Sequence, residues 1–302
     1  MLGLQYFNWE EIWSPLFIFA TIAVIILYLY MVGPWKDKHY PQEEPVTGKM
    51  KFVFILAAFL IYLCHGGPIK LLGHLMFTFH MVSMAISYLV VPPLVLIAIP
   101  SFIWKHIFAR SFWRKLRFLM HPISTLVLFN LLFSIYHLPF VHDYVMTNFT
   151  IHRLYYIVLF ITALMMWWQI ITPVKEWGLL TDVKKMAYVF ANGVLLTPAC
   201  ALIIFASTPL FATYSDPNVW VAAMGYCLPG DTSYLLEAFS GPQFFNFLDV
   251  LEDQQLGGLV MKIVQELMYG VILAYIFRQW FKREHADDDD SFTEVNTNPG
   301  TV

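Results

Sequence analysis

The sequence predicts an all-α, polytopic membrane protein with seven transmembrane helices. Of its 302 residues, 59% are hydrophobic and only 13% are charged, and the mean hydropathy is +0.62. A soluble domain normally carries about twice that share of charged residues. Seven apolar runs, with Lys and Arg placed alternately around them, support the same interpretation.

The apolar runs have the length expected of membrane spans, since a helix needs about 20 mostly apolar residues to cross a bilayer. The second run is short and the fourth is modest, but both are uninterrupted enough to be read as helices. In chain order the runs cover residues 15–32, 51–64, 72–99, 123–138, 151–172, 186–206 and 257–281.

Basic residues flank the odd-numbered runs on one side of the membrane. Four follow the first run, five the third, three the fifth and three the seventh; of the 18 basic residues only Lys70, Arg153 and Lys262 lie elsewhere. Cytoplasmic loops are enriched in Lys and Arg. The sequence therefore predicts that the N-terminus is outside and the C-terminus inside.

Two parts of the chain are distinguished by composition. Residues 1–282 form the predicted transmembrane domain, in which the segment 209–256 has no Lys or Arg and is rich in aromatic residues, Pro and Gly. This segment is expected to be an ordered extracytoplasmic loop with short interfacial helices. Residues 283–302 are acidic and polar without an apolar period, which predicts a disordered cytoplasmic tail.

The third run carries side chains that a soft metal prefers. His80 and Met84 are four residues apart and share a helix face, while His74 and Met81, seven apart, form a second stripe. Polar residues at membrane depth are costly and usually mark a site. The alternative stays open that the Met side chains fill gaps in a core and the histidines only bond a neighbouring helix.

Six of the ten histidines are predicted to share one depth at the extracytoplasmic side: His65, His74, His80, His137, His142 and His152. Neutral imidazole binds copper and zinc, and thioether sulfur selects cuprous copper. The pattern therefore predicts a copper site at this depth. Its predicted ligands are His80, His137 and His152, with Met84 or Met81 as the sulfur donor and His74 in reserve.

The beginning of the seventh run adds polar and small residues at the same depth. Asp253, with Gln254 beside it, could accept a hydrogen bond from a ligand histidine and orient it. Both residues could equally cap the N-terminus of their own helix. Gly257 and Gly258 are expected to permit close approach of a neighbouring helix.

Several short motifs occur in order along nearly the whole chain: HGGP, HxxxxxHMVSM followed by VPPL, NLLFSIYHLP, IHRLYY, MMWWQIITP and DQQLGGLVMK. In this order the chain resembles the CtaG family of membrane proteins, which are needed to assemble bacterial caa3-type cytochrome c oxidase. The family's HMxxH falls on His80, Met81 and Met84, so Met84 replaces the second histidine, and a His and Met pair still suits cuprous copper. The other motif residues fall on His137, Pro139, His152, Asp253, Gln254, Gln255 and Gly258.

The resemblance implies a multi-pass protein of the bacterial plasma membrane that supplies copper, expected to be cuprous, to the haem-copper centre of the oxidase without being a subunit of it. The implied partners are an oxidase subunit, bound transiently, a copper donor protein and the lipid bilayer, but no nucleic acid. Catalysis by the chain has little support, because HExxH and GxSxG motifs are missing. Two other classes stay open: a membrane haem protein with histidines as axial ligands, and a copper or small-solute transporter.

Overall fold

The computed structural model describes residues 3–109, 117–228 and 232–296, which contain helices and no β-strand. The predicted all-α class is therefore confirmed. The α-helices are α1 (Trp9–Trp13), α2 (Pro15–Tyr30), α3 (Lys36–His39), α4 (Gly48–His65), α5 (Pro68–Leu75), α6 (Phe77–Ala85), α7 (Val91–Ala98), α8 (Ser101–Phe108), α9 (Pro122–Tyr136), α10 (Pro139–Thr147), α11 (Phe149–Ile171), α12 (Asp182–Ile204), α13 (Ala212–Ser215), α14 (Pro217–Met224), α15 (Tyr234–Phe239) and α16 (Val250–Asn296). Short 3-10 or π turns occupy Leu4–Tyr6, Met31–Trp35, Ile86–Val90, Arg117–Met120, Lys175–Trp177 and Pro242–Phe245.

Six helical stretches of the described chain are long and apolar enough to cross a membrane. They are Trp9–His39, Gly48–Leu75, Phe77–Ala98, Phe149–Ile171, Asp182–Ile204 and Val250–His285. A seventh span is obtained if α9 and α10, which meet at an angle of 80°, are taken together. The polytopic fold is thus confirmed, and the modest fourth run corresponds to this bent pair.

Helix α16 extends beyond the predicted transmembrane domain. It continues past residue 282 into the acidic segment for which the sequence predicts disorder, and it ends at Asn296. Residues 297–302 of that segment lie outside the described residues.

Proline marks where many of these helices begin. It is the first residue of α2, α5, α9, α10 and α14. Proline suits the first helical turn because its missing N–H group would have no partner there. The most consequential case is Pro139: α9 ends at Tyr136 and α10 begins at Pro139, so His137 lies at the bend of the fourth span.

The third run does not form one helix from its beginning. Helix α5 ends at Leu75, Met76 has extended backbone angles (φ −137°, ψ 131°), and α6 begins at Phe77. His74 therefore lies on α5, at the end of the second membrane-crossing stretch, and the predicted stripe of His74 and Met81 on one helix is wrong. His80 and Met84 do lie on one helix, α6, one turn apart.

Helix α16 packs closely against α6 and α12. A Cβ atom added at Gly257 would lie 2.7 Å from Phe77 Cδ1, and one added at Gly258 would lie 2.9 Å from Ile203 Cγ2. Only glycine permits such an approach of two helices. The predicted role of these two glycines is therefore confirmed.

The segment between α12 and α16 contains the short helices α13, α14 and α15, as the sequence predicts. Trp220, Met224 and Leu235 of this segment are fully buried, and they form one apolar cluster with Leu71 and Leu75 of α5. Burial of such large side chains contributes about 1.5 to 3 kcal/mol each. The segment therefore packs as an ordered layer against α5, the helix that carries His74.

Candidate metal centre

The six histidines that the sequence assigns to one depth meet at the same end of the helix bundle, which we call the histidine end. Five of them are buried, with 6% or less of each residue exposed: His74, His80, His137, His142 and His152. The sixth, His65, is half-buried, and its Nε2 atom lies 2.9 Å from Ser87 Oγ. A histidine is seldom fully buried without a partner, so the other five need an explanation.

Two of the buried rings are fixed by a backbone carbonyl. His137 Nδ1 lies 2.7 Å from the carbonyl oxygen of Phe133, and His74 Nδ1 lies 2.9 Å from that of Lys70. A carbonyl only accepts, so Nδ1 carries the proton in both rings and Nε2 keeps its lone pair. In each ring Nε2 is buried without a partner. Ligand histidines in metal sites are oriented in this way.

The other three buried rings also have nitrogen atoms without partners. These atoms are Nε2 of His80 and both ring nitrogens of His142 and of His152. A buried polar atom without a hydrogen bond costs about 1–3 kcal/mol, and native proteins keep few of them. Such a concentration at one end of the bundle indicates that something else pairs with these nitrogens.

Ring contacts divide the buried histidines into two groups. The centroid of the His80 ring lies 5.2 Å from that of His142 and 6.5 Å from that of His137, and we call these three residues the inner group. The rings of His74 and His152 have centroids 6.0 Å apart, and we call them the cavity pair. Two imidazoles bound to one metal through bonds of about 2.0 Å have centroids about 5 to 6.3 Å apart. The pairs His80–His142 and His74–His152 fall within this range, and the pair His80–His137 lies just beyond it.

The two groups contain pairs of imidazoles rather than a closed set of ligands. Within the part of the chain that the structure describes, no three His, Cys, Asp or Glu side chains converge closely enough to hold a metal ion as they stand. The predicted trio is also divided: His80 contacts His137, whereas His152 contacts His74. Cuprous copper is the ion for which two imidazoles, or two imidazoles and a thioether, are a sufficient ligand set.

A small cavity of about 20 Å³ opens at the histidine end beside the cavity pair. Its lining includes Cys64, His65, Lys70, His74, His80, His152 and Tyr226. This volume is enough for about one water molecule. His80 therefore belongs to the inner group and also borders the cavity.

The thioether side chains lie close to the inner group but mainly within the apolar core. Met81 and Met84 are buried in the same core cluster, and Met81 Cγ would lie 3.1 Å from a Cβ atom added at Gly257. Met81 therefore faces the last helix. A third thioether, Met146 of α10, accepts a hydrogen bond from the hydroxyl of Tyr136, whose ring stacks on His80 with centroids 5.7 Å apart.

Sequence reasoning counted His142 among the six histidines at one depth but not among the predicted ligands, and it did not single out Met146. Five positions separate His137 from His142, which gives no common face on a straight helix. The bend at Pro139 changes this, because it starts a new helix directly after His137. The motif HLPFVH contains the signal, since proline is favoured at the first position of a helix.

Asp143 supplies the negative charge nearest to the inner group. Its Oδ1 atom lies 3.5 Å from Nδ1 of His142. The carboxylate also accepts hydrogen bonds of 2.9 Å from the backbone N–H groups of Ala212 and Thr213, and one of 2.7 Å from the Thr213 hydroxyl. One charge is thus held in place beside the neutral imidazoles.

Asp253 and Gln254 have other partners than the ligand histidine that the sequence predicts. Asp253 accepts hydrogen bonds from the backbone N–H groups of Phe77 at 2.7 Å and Thr78 at 3.3 Å, so it caps α6, the helix of His80. Gln254 accepts one from Leu210 N at 2.7 Å and donates to the carbonyl of Ile203. These residues position helices rather than rings.

The Tyr226 ring packs against the cavity pair and lies close to two cationic side chains, those of Lys70 and Arg153. Tyr226 stacks on His74 and meets His152 edge-on, with centroids 5.6 Å and 4.2 Å away. Lys70 Nζ lies 5.2 Å and Arg153 Cζ 5.8 Å from the Tyr226 centroid. Burial raises the pKa of Tyr226, while Arg153 acts in the opposite direction. Burial likewise raises the pKa of the neighbouring Cys227 to about 11, which keeps this thiol protonated.

Comparison with known proteins identifies one family. The family model of the cytochrome c oxidase caa3 assembly factor (Caa3_CtaG) matches residues 26–283. No curated protein and no solved structure matches the chain significantly. The match covers most of the chain, including every residue of the inner group and the cavity pair. The chain therefore belongs to the caa3 oxidase assembly factor family, whose members are multi-pass proteins of the bacterial plasma membrane.

Proposed function

We propose that this caa3 oxidase assembly factor binds cuprous copper at the inner group and delivers it to the haem-copper centre of the oxidase. The observation that carries the proposal is that the Nε2 atoms of His80, His137 and His142 are buried and have no hydrogen-bond partner. The rings come from α6, from the bend of the fourth span and from α10. The spacing of His80 and His142 suits metal–nitrogen bonds, and the His137 ring, 6.5 Å from that of His80, lies just beyond this spacing.

The charge of the site favours a univalent ion. Burying an ion is costly unless opposite charge accompanies it, and the cost grows steeply with ionic charge. The imidazoles are neutral ligands, and Asp143 provides a single negative charge next to His142. One positive charge is therefore balanced, as copper in its cuprous state requires, whereas a divalent ion would leave an excess.

A thioether would complete the set in the proposed site. Met84 lies one turn from His80 on α6 and stays the predicted donor, together with Met81. Met146 is a further candidate, because its sulfur already lies within hydrogen-bonding distance of the Tyr136 hydroxyl beside His80. Soft thioether sulfur selects cuprous copper over harder ions.

The surroundings of the site favour delivery over transport. The core of the bundle contains large buried apolar side chains, among them Phe129, Phe133, Leu159 and Trp167, and the amides of Asn130 and Asn192 within it are hydrogen-bonded to each other. A cation could not cross this core without polar partners. Copper taken up at the histidine end would therefore leave from the same end. The cavity of about 20 Å³ is likewise too small for the porphyrin of a haem protein.

The proposal is tested in a strain that lacks the protein. We expect oxidase polypeptides in the membrane, with low oxidase activity and depleted copper. The wild-type gene should restore both, whereas a gene for the double variant His137→Ala and His142→Ala should not, at equal protein level. A normal copper content of the oxidase in the deletion strain would overturn the proposal.

The proposed delivery also requires the histidine end to face outward, as the basic residues predict. A reporter enzyme fused after Phe244 should be active outside the membrane, and one fused after Arg283 should be active inside. The reverse result would place the histidines at the cytoplasmic face and would contradict this route of delivery.

A further inference from the structure

His74 and His152 of the cavity pair are set apart from the inner group by their position in the fold. His74 lies on the last turn of α5, and His152 lies on the first turn of α11. Their ring contacts are with each other, with Tyr226 and, for His152, with Tyr156, while the contacts of the inner group are with Phe77, Tyr136, Phe211 and Tyr214. The two groups therefore differ in the rings that they contact, and the hydrogen bond between Tyr156 and Tyr136 joins their surroundings.

The chemistry of the cavity pair is that of a second ligand set. His74 donates through Nδ1 to the carbonyl of Lys70, which leaves Nε2 as a bare, buried acceptor, and neither nitrogen of His152 has a partner. The centroids are 6.0 Å apart. Two imidazoles on opposite sides of one ion, with bonds of about 2.0 Å, would have centroids about 6.3 Å apart. The pair thus has the spacing of a two-coordinate, nearly linear site.

The location of the pair indicates how it would be used. Both rings line the cavity at the histidine end, and His80 of the inner group lines it too. His142 and His137 do not border that cavity. An ion in the cavity lies beside His74 and His152 and can reach the inner group through His80.

We propose that His74 and His152 form a distinct loading site for one cuprous ion, which passes through His80 to the inner group. This inference rests on the proposed function, since it adds a second binding step to the same delivery. It requires that the full chain binds two cuprous ions, and that each group keeps its own ion when the other group is disabled.

The test is an anaerobic titration of the purified full chain in detergent, with cuprous copper in competition with a colorimetric cuprous chelator. The wild type should bind two ions. The double variant His74→Gln and His152→Gln should bind one, and the double variant His137→Gln and His142→Gln should also bind one. In the latter, X-ray absorption should show copper with two nitrogen ligands. The variant His39→Gln is the matched control and should bind two, because His39 is exposed, lies outside the cavity lining and bonds the carbonyl of Trp35.

The outcomes separate the two proposals. Copper binding unchanged from the wild type in the His74 and His152 double variant would overturn the loading site and leave the inner group standing. Copper binding unchanged in the His137 and His142 double variant would overturn the inner group. A wild type that binds one ion, lost in only one of the double variants, would show a single site and contradict the loading step. Equal helix content and elution volume of all variants exclude misfolding as the cause.

Discussion

Among the buried polar groups of the described chain, an amide network and the histidine end differ in how their hydrogen bonds are satisfied. In the middle of the bundle, α9 and α12 share an amide network: Asn130 Nδ2 donates to Asn192 Oδ1 at 2.8 Å, and the hydroxyls of Thr125 and Tyr188 are 2.9 Å apart. Only Asn130 Oδ1 of this network lacks a partner. At the histidine end, by contrast, all five buried rings have at least one ring nitrogen without a partner.

The difference teaches which buried polar groups serve the fold and which serve a ligand. Paired groups between membrane helices contribute about 0.6 kcal/mol each on average, and they fix which helices are neighbours. Unpaired groups cost stability. A cluster of unpaired groups therefore lowers the stability of the fold, and we expect such a cluster, here the histidine end, to bind a ligand.

The largest expected effect is the loss of copper on removal of His80, the ring that borders both groups. His80→Ala should weaken cuprous copper binding by about 100-fold or more, because even outer partners of metal ligands are worth about 10–100-fold. The measurement is copper affinity of purified protein in a chelator competition. His106→Ala, which removes an exposed histidine bonded to Tyr40, is the control and should bind as the wild type. Wild-type copper affinity in His80→Ala would contradict the proposal that the histidine end binds copper.

The amide network should show the opposite behaviour. Asn192→Ala removes a fully buried side chain that bonds Asn130 and the carbonyl of Tyr188, and it should lower the free energy of unfolding by about 1–3 kcal/mol. Copper bound per folded chain should not change. Unfolding in detergent micelles measures the free energy of unfolding, with Gln243→Ala at an exposed position as the control. A free energy of unfolding equal to that of the wild type would show that the network does not stabilise the fold.

Smaller effects on both stability and copper affinity are expected at Asp253, because this residue is part of the hydrogen bonding of the fold and also positions the helix of His80. Asp253→Ala removes the cap of α6 and should cost about 1 kcal/mol of stability. It should also weaken copper binding by about tenfold or less, since α6 carries His80. Unfolding in detergent micelles measures the stability and chelator competition measures the copper affinity, with Glu252→Ala as the neighbouring control. An effect confined to copper binding would indicate that Asp253 contacts a ligand ring after all.

The smallest expected change in stability is at His142. His142→Leu removes two buried nitrogen atoms that have no hydrogen bond, and with them the 3.5 Å contact to Asp143, so the stability of the copper-free variant should lie within about 1 kcal/mol of that of the wild type. Copper should stabilise the wild type, because a ligand that binds only the folded state does so by mass action, and should stabilise the variant less. Clear destabilisation of the copper-free variant would place His142 with the structural network.

The properties that the sequence predicts well are local ones. The apolar length of the spans and the need for glycine at Gly257 and Gly258 are encoded in short stretches, and the structure confirms them. The break at Met76 has no local signal, since neither Gly nor Pro lies there. It is set by Asp253, which caps α6 from the far end of the chain. The pairing of His74 with His152 likewise depends on Tyr226 of the segment between α12 and α16.

The cap on α6 also has a consequence for biosynthesis. Asp253 and the Phe77 amide that it binds are separated by 176 positions in the chain. Membrane helices are inserted one after another as the chain is made, and contacts of such separation form last. The orientation of the helix that carries His80 is therefore completed only when the final span has entered the bilayer. A nascent or truncated chain would therefore hold the histidines of the proposed copper site without the geometry that the complete chain gives them.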